Sequence, residues 1–175
     1  MHVLQNYFAP FKKNGTEALI IGIIGRDYNV EGIISFRVKV DGDDATKALI
    51  KAVRSTRFLD QIKLIALNGI TVGGLNVIDI NDVSKELGIP IIGITRKRPR
   101  IKLLMAASRD SKKKVKILEK TAKNIRVERM RGYYIQHMMK DSKGMEKRLH
   151  EALHFIRLAH LIASGIVHGE SHGRL

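Results

Sequence analysis

Three carboxylates, Asp41, Asp43 and Asp44, lie within four positions of one another, where an apolar β-rich run gives way to a helical repeat. Two or more carboxylates converging at a strand end can hold Mg²⁺, which prefers oxygen ligands and works well on phosphate esters. The same residues also suit a plainer purpose. Asp43 can cap the following helix while its neighbours favour the positive end of the helix dipole. The residues alone leave both uses open.

A second candidate is His150-Glu151-Ala152-Leu153-His154, a formal match to the H-E-x-x-H pattern of zinc peptidases. His160 extends the likeness to the longer form, but Arg157 stands where that form has the glycine that turns the chain. On a continuous helix His160 would lie about 9 Å further along the axis than His154 and about 120° around it. Three histidines so arranged cannot share one tetrahedral zinc with bonds near 2 Å. A zinc metallopeptidase is therefore only a remote alternative.

The third candidate is charge. Residues 96–149 carry 19 basic and five acidic side chains, a net +14, against +1 for residues 1–95 and zero for 150–175. Arg96, Lys97, Arg98 and Arg100 form one cluster and Lys112, Lys113, Lys114 and Lys116 another. Ammonium point charges and forked guanidinium groups both suit phosphate oxygens, so this stretch predicts a polyanion surface, most simply nucleic acid. Tyr133 and Tyr134 in the same stretch can stack a base or pack in a strand. The paired glycines Gly73 and Gly74 can admit a phosphate backbone to main-chain N–H groups, or can simply make a tight turn. The surrounding loop lacks both the P-loop and the dinucleotide-fold pattern.

Composition narrows the setting. The chain has 175 residues, 44% of them hydrophobic, which is enough for one packed domain over 1–175. With no cysteine there is no disulfide, Cys-ligated zinc ribbon or thiol nucleophile. No apolar run approaches membrane-spanning length, and only 5% of residues are aromatic, which disfavours an interfacial membrane helix. The expectation is a soluble, cytoplasmic protein with no membrane partner. A homo-oligomer is compatible with it.

The elements that must position these residues follow from periodicity. Strands are expected over His2–Phe8, Ala18–Gly25, Glu31–Val40, Ile62–Leu67 and Pro90–Thr95, with a turn at Asp27-Tyr28-Asn29. Ala45, Ala48, Leu49, Ala52 and Val53 give a helix, and another covers roughly Val77–Leu87. The basic stretch holds a helix near Lys112–Lys123 and strands at Ile125–Arg129 and Tyr133–His137. Closing helices fall near Ser142–Leu153 and Phe155–Val167, separate or merged. Three antiparallel strands followed by alternating helices and strands is the order of an α/β, ribonuclease-H-like mixed sheet with C-terminal helices.

Several blocks taken together resemble a known family. They are Ala18-Leu19-Ile20-Ile21-Gly22-Ile23-Ile24-Gly25-Arg26, Val40-Asp41-Gly42-Asp43-Asp44-Ala45-Thr46, and the run from Gly69 to Ile80. Arg157-Leu158-Ala159-His160-Leu161-Ile162-Ala163 and Gly169-Glu170-Ser171 complete the set. Across the whole chain they resemble the archaeal endonuclease dU family, a distant relative of endonuclease V. The resemblance implies a ribonuclease-H-like fold and Mg²⁺- or Mn²⁺-dependent cleavage of nucleic acid, DNA in particular, at deaminated or abnormal bases, as in DNA repair. It makes Asp41 and Asp43 metal candidates, Asp41, Asp79 and His160 catalytic candidates, and Arg157 and Glu170 supporting residues. Where the family carries two aspartates on its first strand, this chain has Tyr7 and Phe8, and Asn68 stands where endonuclease V has an aspartate. These departures imply the alternative of a catalytically degenerate nucleic-acid-binding protein on the same fold.

Overall fold

The computed structural model describes residues 2–6, 17–139 and 144–171. Tyr7 and Phe8 lie outside them.

A seven-stranded mixed sheet runs through the molecule. In chain order its strands are β1 (His2–Asn6), β2 (Glu17–Arg26), β3 (Asn29–Lys39), β4 (Ile65–Asn68), β7 (Ile91–Thr95), β8 (Arg126–Met130) and β9 (Tyr133–His137). A small separate hairpin, β5 (Thr71–Val72) with β6 (Asn76–Val77), lies in the glycine-rich loop. The sheet order is β3-β2-β1-β4-β7-β9-β8. β1, β4 and β7 run parallel, β2 pairs antiparallel with both β1 and β3, and β9 returns antiparallel beside β7. The first five positions of that order make the ribonuclease-H-like sheet expected from the sequence. β9 and β8 extend it through the basic stretch.

Two layers cover the sheet. β2 reads as an unbroken apolar run because both its faces are buried. Ala18 and Ile20 pack with α1 (Ala45–Arg54), α2 (Ile80–Leu87) and Leu118 of α4 (Lys112–Asn124). Leu19, Ile21 and Ile23 pack on the other face with α5 (Met145–His168). The two closing helices are thus one helix of 24 residues. Its seam of Leu149, Ala152, Ile156, Ala159 and Ala163 keeps the 3.6-residue period across the place where a break was in question.

Other boundaries moved for identifiable reasons. Val77 belongs to β6, and α2 begins only at Ile80, after its cap Asp79. A short helix α3 (Ile101–Ala107) follows Pro99, where the density of charge hid the apolar pattern. The turn between β2 and β3 is Asp27-Tyr28, both at positive φ (51° and 65°), the geometry of a two-residue hairpin.

Candidate functional site

Asp41, Asp43, Asp44 and Asp79 all lie in connections that precede a helix on the α1–α2 face, and each carboxylate is already engaged. Asp41 stands at φ 52° after β3. Its N–H donates to the Gly73 carbonyl at 2.8 Å and its Oδ1 accepts from the Leu75 N–H at 2.7 Å. A Cβ on Gly74, itself at φ +80°, would come 2.2 Å from that oxygen. Gly73 and Gly74 therefore turn the β5–β6 hairpin tightly around Asp41, and the N–H following them is taken by its carboxylate rather than presented outward.

The helix cap differs from the sequence expectation. Asp43 does not cap α1. Asp44 occupies the N-cap position without a side-chain capping bond, and its carboxylate accepts instead from the Lys39 N–H and from Asn76 Nδ2 at 2.6 Å. The first helical N–H, that of Ala45, donates to Asn76 Oδ1 at 3.1 Å. Asn76 is fully buried and spends its remaining amide hydrogen on the Lys39 carbonyl. An asparagine 31 residues away thus does what a local aspartate was expected to do, and its tertiary contact has no local sequence signal.

Helix α4 neutralises the rest. Lys113 Nζ bridges the Asp43 carboxylate at 2.7 Å and holds its pKa below the ordinary aspartate range. Lys114, buried, donates to the Asp41 carbonyl. Asp79 is 3% exposed and caps α2 by accepting from the N–H groups of Asn81 and Asp82 at 2.9 and 3.2 Å. Its other oxygen accepts from Lys120 Nζ at 3.1 Å, and Lys120 also pairs with Asp82. Hydrogen bonding to Asp82 is the main reason the Lys120 ammonium stays protonated above its usual range, with Asp79 adding to it against the opposing effect of burial. Lys120 was missed from sequence. Its position seven residues after Lys113, hence on the same side of α4, was the available signal.

This donor set fits a divalent cation poorly. Asn68, at the end of β4, is neutral, and residues 7–16 (YFAPFKKNGT) contain no Asp, Glu or His. Among the described residues no three Asp, Glu, His or Cys side chains come together as a metal-holding group. Asp79 begins a helix packed on one face of the sheet and His160 lies on α5, which covers the other. The His150–His154 pattern also disperses. His150 meets Arg131 at 2.9 Å, Glu151 accepts from the Asp27 N–H at 2.7 Å, and His154 packs edge-on against Tyr28. Those contacts fasten α5 to two hairpin turns and gather no zinc ligands.

The α5 face offers a different arrangement. A cavity of about 360 Å³ opens at the carboxyl ends of β4 and β7, between Asn68, Thr95, Arg96 and Lys97 on one side and Tyr133, Leu153 and Ile156 on the other. The crevice beyond the carboxyl ends of parallel strands is where open α/β sheets bind ligands. On α5, Arg157 is one turn beyond Leu153 and His160 is two turns beyond it, all on one side of the helix. Arg157 is exposed and His160 half-buried. Glu170 follows the helix end, where its carbonyl accepts from Ser164 Oγ. Arg96, Lys97, Arg98 and Arg100 lie in the loop from β7 to α3, all but half-buried Pro99 of that run being exposed. On α4, Lys112 and Lys116 are exposed, whereas Lys113 is paired with Asp43 and Lys114 donates to the Asp41 carbonyl. Tyr134 lies beside the Arg129 guanidinium in its hairpin, whereas Tyr133 reaches the cavity.

No helix among the described residues is long and apolar enough to cross a membrane. The sequence model of the family described as Endonuclease dU matches residues 7–167. A UPF0215 protein of Methanothermobacter thermautotrophicus is 35% identical, the match covering 94% of this chain and 87% of the relative. A UPF0215 protein of Pyrococcus horikoshii is 33% identical over 92% of this chain and 88% of its own length. The crystal structure of a protein of unknown function from Archaeoglobus fulgidus superposes with a TM-score of 0.82 at 31% identity, covering 96% of this chain and 98% of that one. With this match of sequence and of fold along nearly the whole chain, the protein belongs to the endonuclease dU family.

Proposed function

We propose that this chain is a nucleic-acid-binding protein of nuclease ancestry that holds a phosphate backbone across the groove between β7 and α5. The observation that carries the reading is the division of charge. Every carboxylate of the acidic junction is occupied by a lysine, an amide or main-chain N–H groups, while Arg96, Lys97, Arg98, Arg100, Lys112 and Lys116 form no ion pair among the described residues. Unneutralised cations bind phosphates by releasing counterions, with affinity that falls steeply as salt rises. Lys112 and Lys116, one helical turn apart, add two charges about 6 Å apart along the axis. Tyr133, Leu153 and Ile156 give the cavity an apolar, aromatic floor suited to an unstacked base. We take deaminated or otherwise abnormal bases in DNA as the natural ligands, since the family's name points to them.

A second reading, residual cleavage with Mg²⁺ or Mn²⁺, is favoured by the family match over residues 7–167. One experiment separates the two. Labelled DNA with a single uracil or hypoxanthine is titrated with protein across a salt series, and parallel samples receive Mg²⁺ or Mn²⁺. Salt-dependent binding without strand cleavage is expected. Cleavage that disappears in His160→Ala or Asp41→Ala would establish the nuclease reading in its place, and salt-independent or absent binding would remove both.

A further inference from the structure

Ala66 of β4 packs in the core beneath α5, so Asn68, two residues on, shares its face of the sheet. Ile94 stands beside Asn68 on β7, and Ile135 beside Ile94 on β9. Tyr133, two residues from Ile135, lies on the same face. Asn68 and Tyr133 therefore flank Ile94 on strands about 10 Å apart, and Leu153 and Ile156 of α5 complete the cavity. Asn68 is its unusual member. The side chains of Asn29, Asn76, Asn81 and Asn124 each bond a protein group, and the exposed Asn68 amide bonds none among the described residues. The Thr95 hydroxyl, which lines the same cavity, spends its proton on the Lys97 carbonyl at 2.8 Å. The main chain at Asn68 is fixed, because the next N–H, that of Gly69, donates to the Ile94 carbonyl at 3.0 Å. An amide carried on a paired strand end is presented at a set place.

We propose that Asn68 is a specificity-determining residue: its amide hydrogen-bonds the Watson–Crick edge of one base seated in the cavity, so the ligand is a strand whose base is unpaired. The inference rests on the nucleic-acid reading of this groove. A primary amide carries a donor beside an acceptor and pairs bidentately with a base edge that does the same. One edge cannot serve Asn68 and a complementary base together. Arg96 and Lys97, also lining the cavity, hold the flanking phosphates without regard to the base. The amide can turn over to match either order of donor and acceptor. Asn68 therefore reads whether a base is free, and not which base it is. A deaminated base, mispaired in a duplex, leaves its partner at lower cost than a normal one and is selected on that ground.

The test measures binding of the full chain to three labelled probes by fluorescence anisotropy across a salt series. They are a short thymidine strand, the same strand methylated at N3 of every base, and the thymidine strand annealed to its adenosine complement. Methylation blocks the Watson–Crick edge and leaves the charge unchanged. The wild type is expected to bind the free strand about 10-fold more tightly than the methylated one, within the range of one bidentate base contact. It should also prefer the free strand to the duplex, although charge density alone favours the duplex. Asn68→Leu, similar in size and checked for native circular dichroism, should bind free and methylated strands alike, at the wild type's affinity for the methylated one. Its salt slope should equal the wild type's, because no phosphate contact is removed. Wild-type indifference to methylation, a preference for the duplex, a changed salt slope, or discrimination that survives in Asn68→Leu would each overturn the role of Asn68 and leave the groove as a phosphate site. Failure of all three probes to bind would overturn the reading of the groove, and this inference with it.

Discussion

The lysines on the inner side of α4 and the arginines and lysines after β7 come from one basic stretch, yet they meet opposite surroundings. Lys113, Lys114 and Lys120 bind Asp43, Asp41, Asp79 and Asp82 and tie α4 to the α1–α2 layer. Arg96 and Lys97 border a cavity whose other walls are apolar or amide and hydroxyl. The first group binds the fold to itself, and the second is the one we propose for a ligand. Net charge thus overstates the binding surface, since part of the +14 is structural.

The comparison breaks down if changes on the two sides have the same consequence. The largest effect is expected for Asn76→Ala, which removes a buried amide serving Ala45, Lys39 and Asp44 at once. Loss of about 2–4 kcal/mol in urea unfolding is expected, because buried donors and acceptors are stranded. DNA affinity of the folded fraction should be unchanged. On the groove side, Arg96→Glu with Lys97→Glu should weaken DNA binding by a factor on the order of 10–100 at moderate salt and flatten the salt slope. Its unfolding curve should match the wild type within about 0.5 kcal/mol. A stability loss there as large as that of Asn76→Ala would show the groove charges to be structural too.

Smaller changes sharpen the contrast. Asp79→Ala should cost about 1–2 kcal/mol, through loss of the α2 cap and of a partner for Lys120. The pH dependence has a definite sign. Lys120 has a folded pKa raised above its unfolded value, so its stabilisation is fully present below about pH 10 and is lost as pH rises through the folded value. Thermal melts from neutral to strongly alkaline pH should therefore converge for wild type and Lys120→Met. Smallest of all is Asp43→Asn. The Asp43 pKa is lowered by Lys113, so its contribution is present above the ordinary aspartate range and fades as pH falls through the lowered value. Because the pair is exposed, the effect at neutral pH should be near the limit of detection in the same melts.

The fold was legible in the sequence wherever one period dominated. The apolar run of β2, the alternation of β3 and the stripe of α1 each announced their element, and the order of elements announced the sheet. The site was less legible because it depends on pairs far apart in the chain. Asp41 and Asp43 carry the residue types of a metal centre, and nothing local shows that lysines 70 or more residues onward answer them. Asn76 and Lys120 have ordinary neighbours and derive their importance from what folds against them. The cavity at β4 and β7 needed α5 to be placed before Leu153 and Ile156 could be seen as its wall. Resemblance placed His160 and Arg157 in the chain, and the helix phase showed which side they share with that wall.

The hold of Glu151 on the Asp27 turn spans 124 residues. It bears on the order in which the molecule is assembled. Leu19, Ile21 and Ile23 are made early and find their cover in α5, so one face of β2 stays wet until almost the whole chain is available. During synthesis the opposite layer, built from α1 and α2, can form first, while the exposed face must wait or be shielded by a chaperone. Folding should therefore complete in a late, cooperative step governed by the docking of one helix. Chains cut short before that helix should aggregate rather than survive as smaller folded pieces.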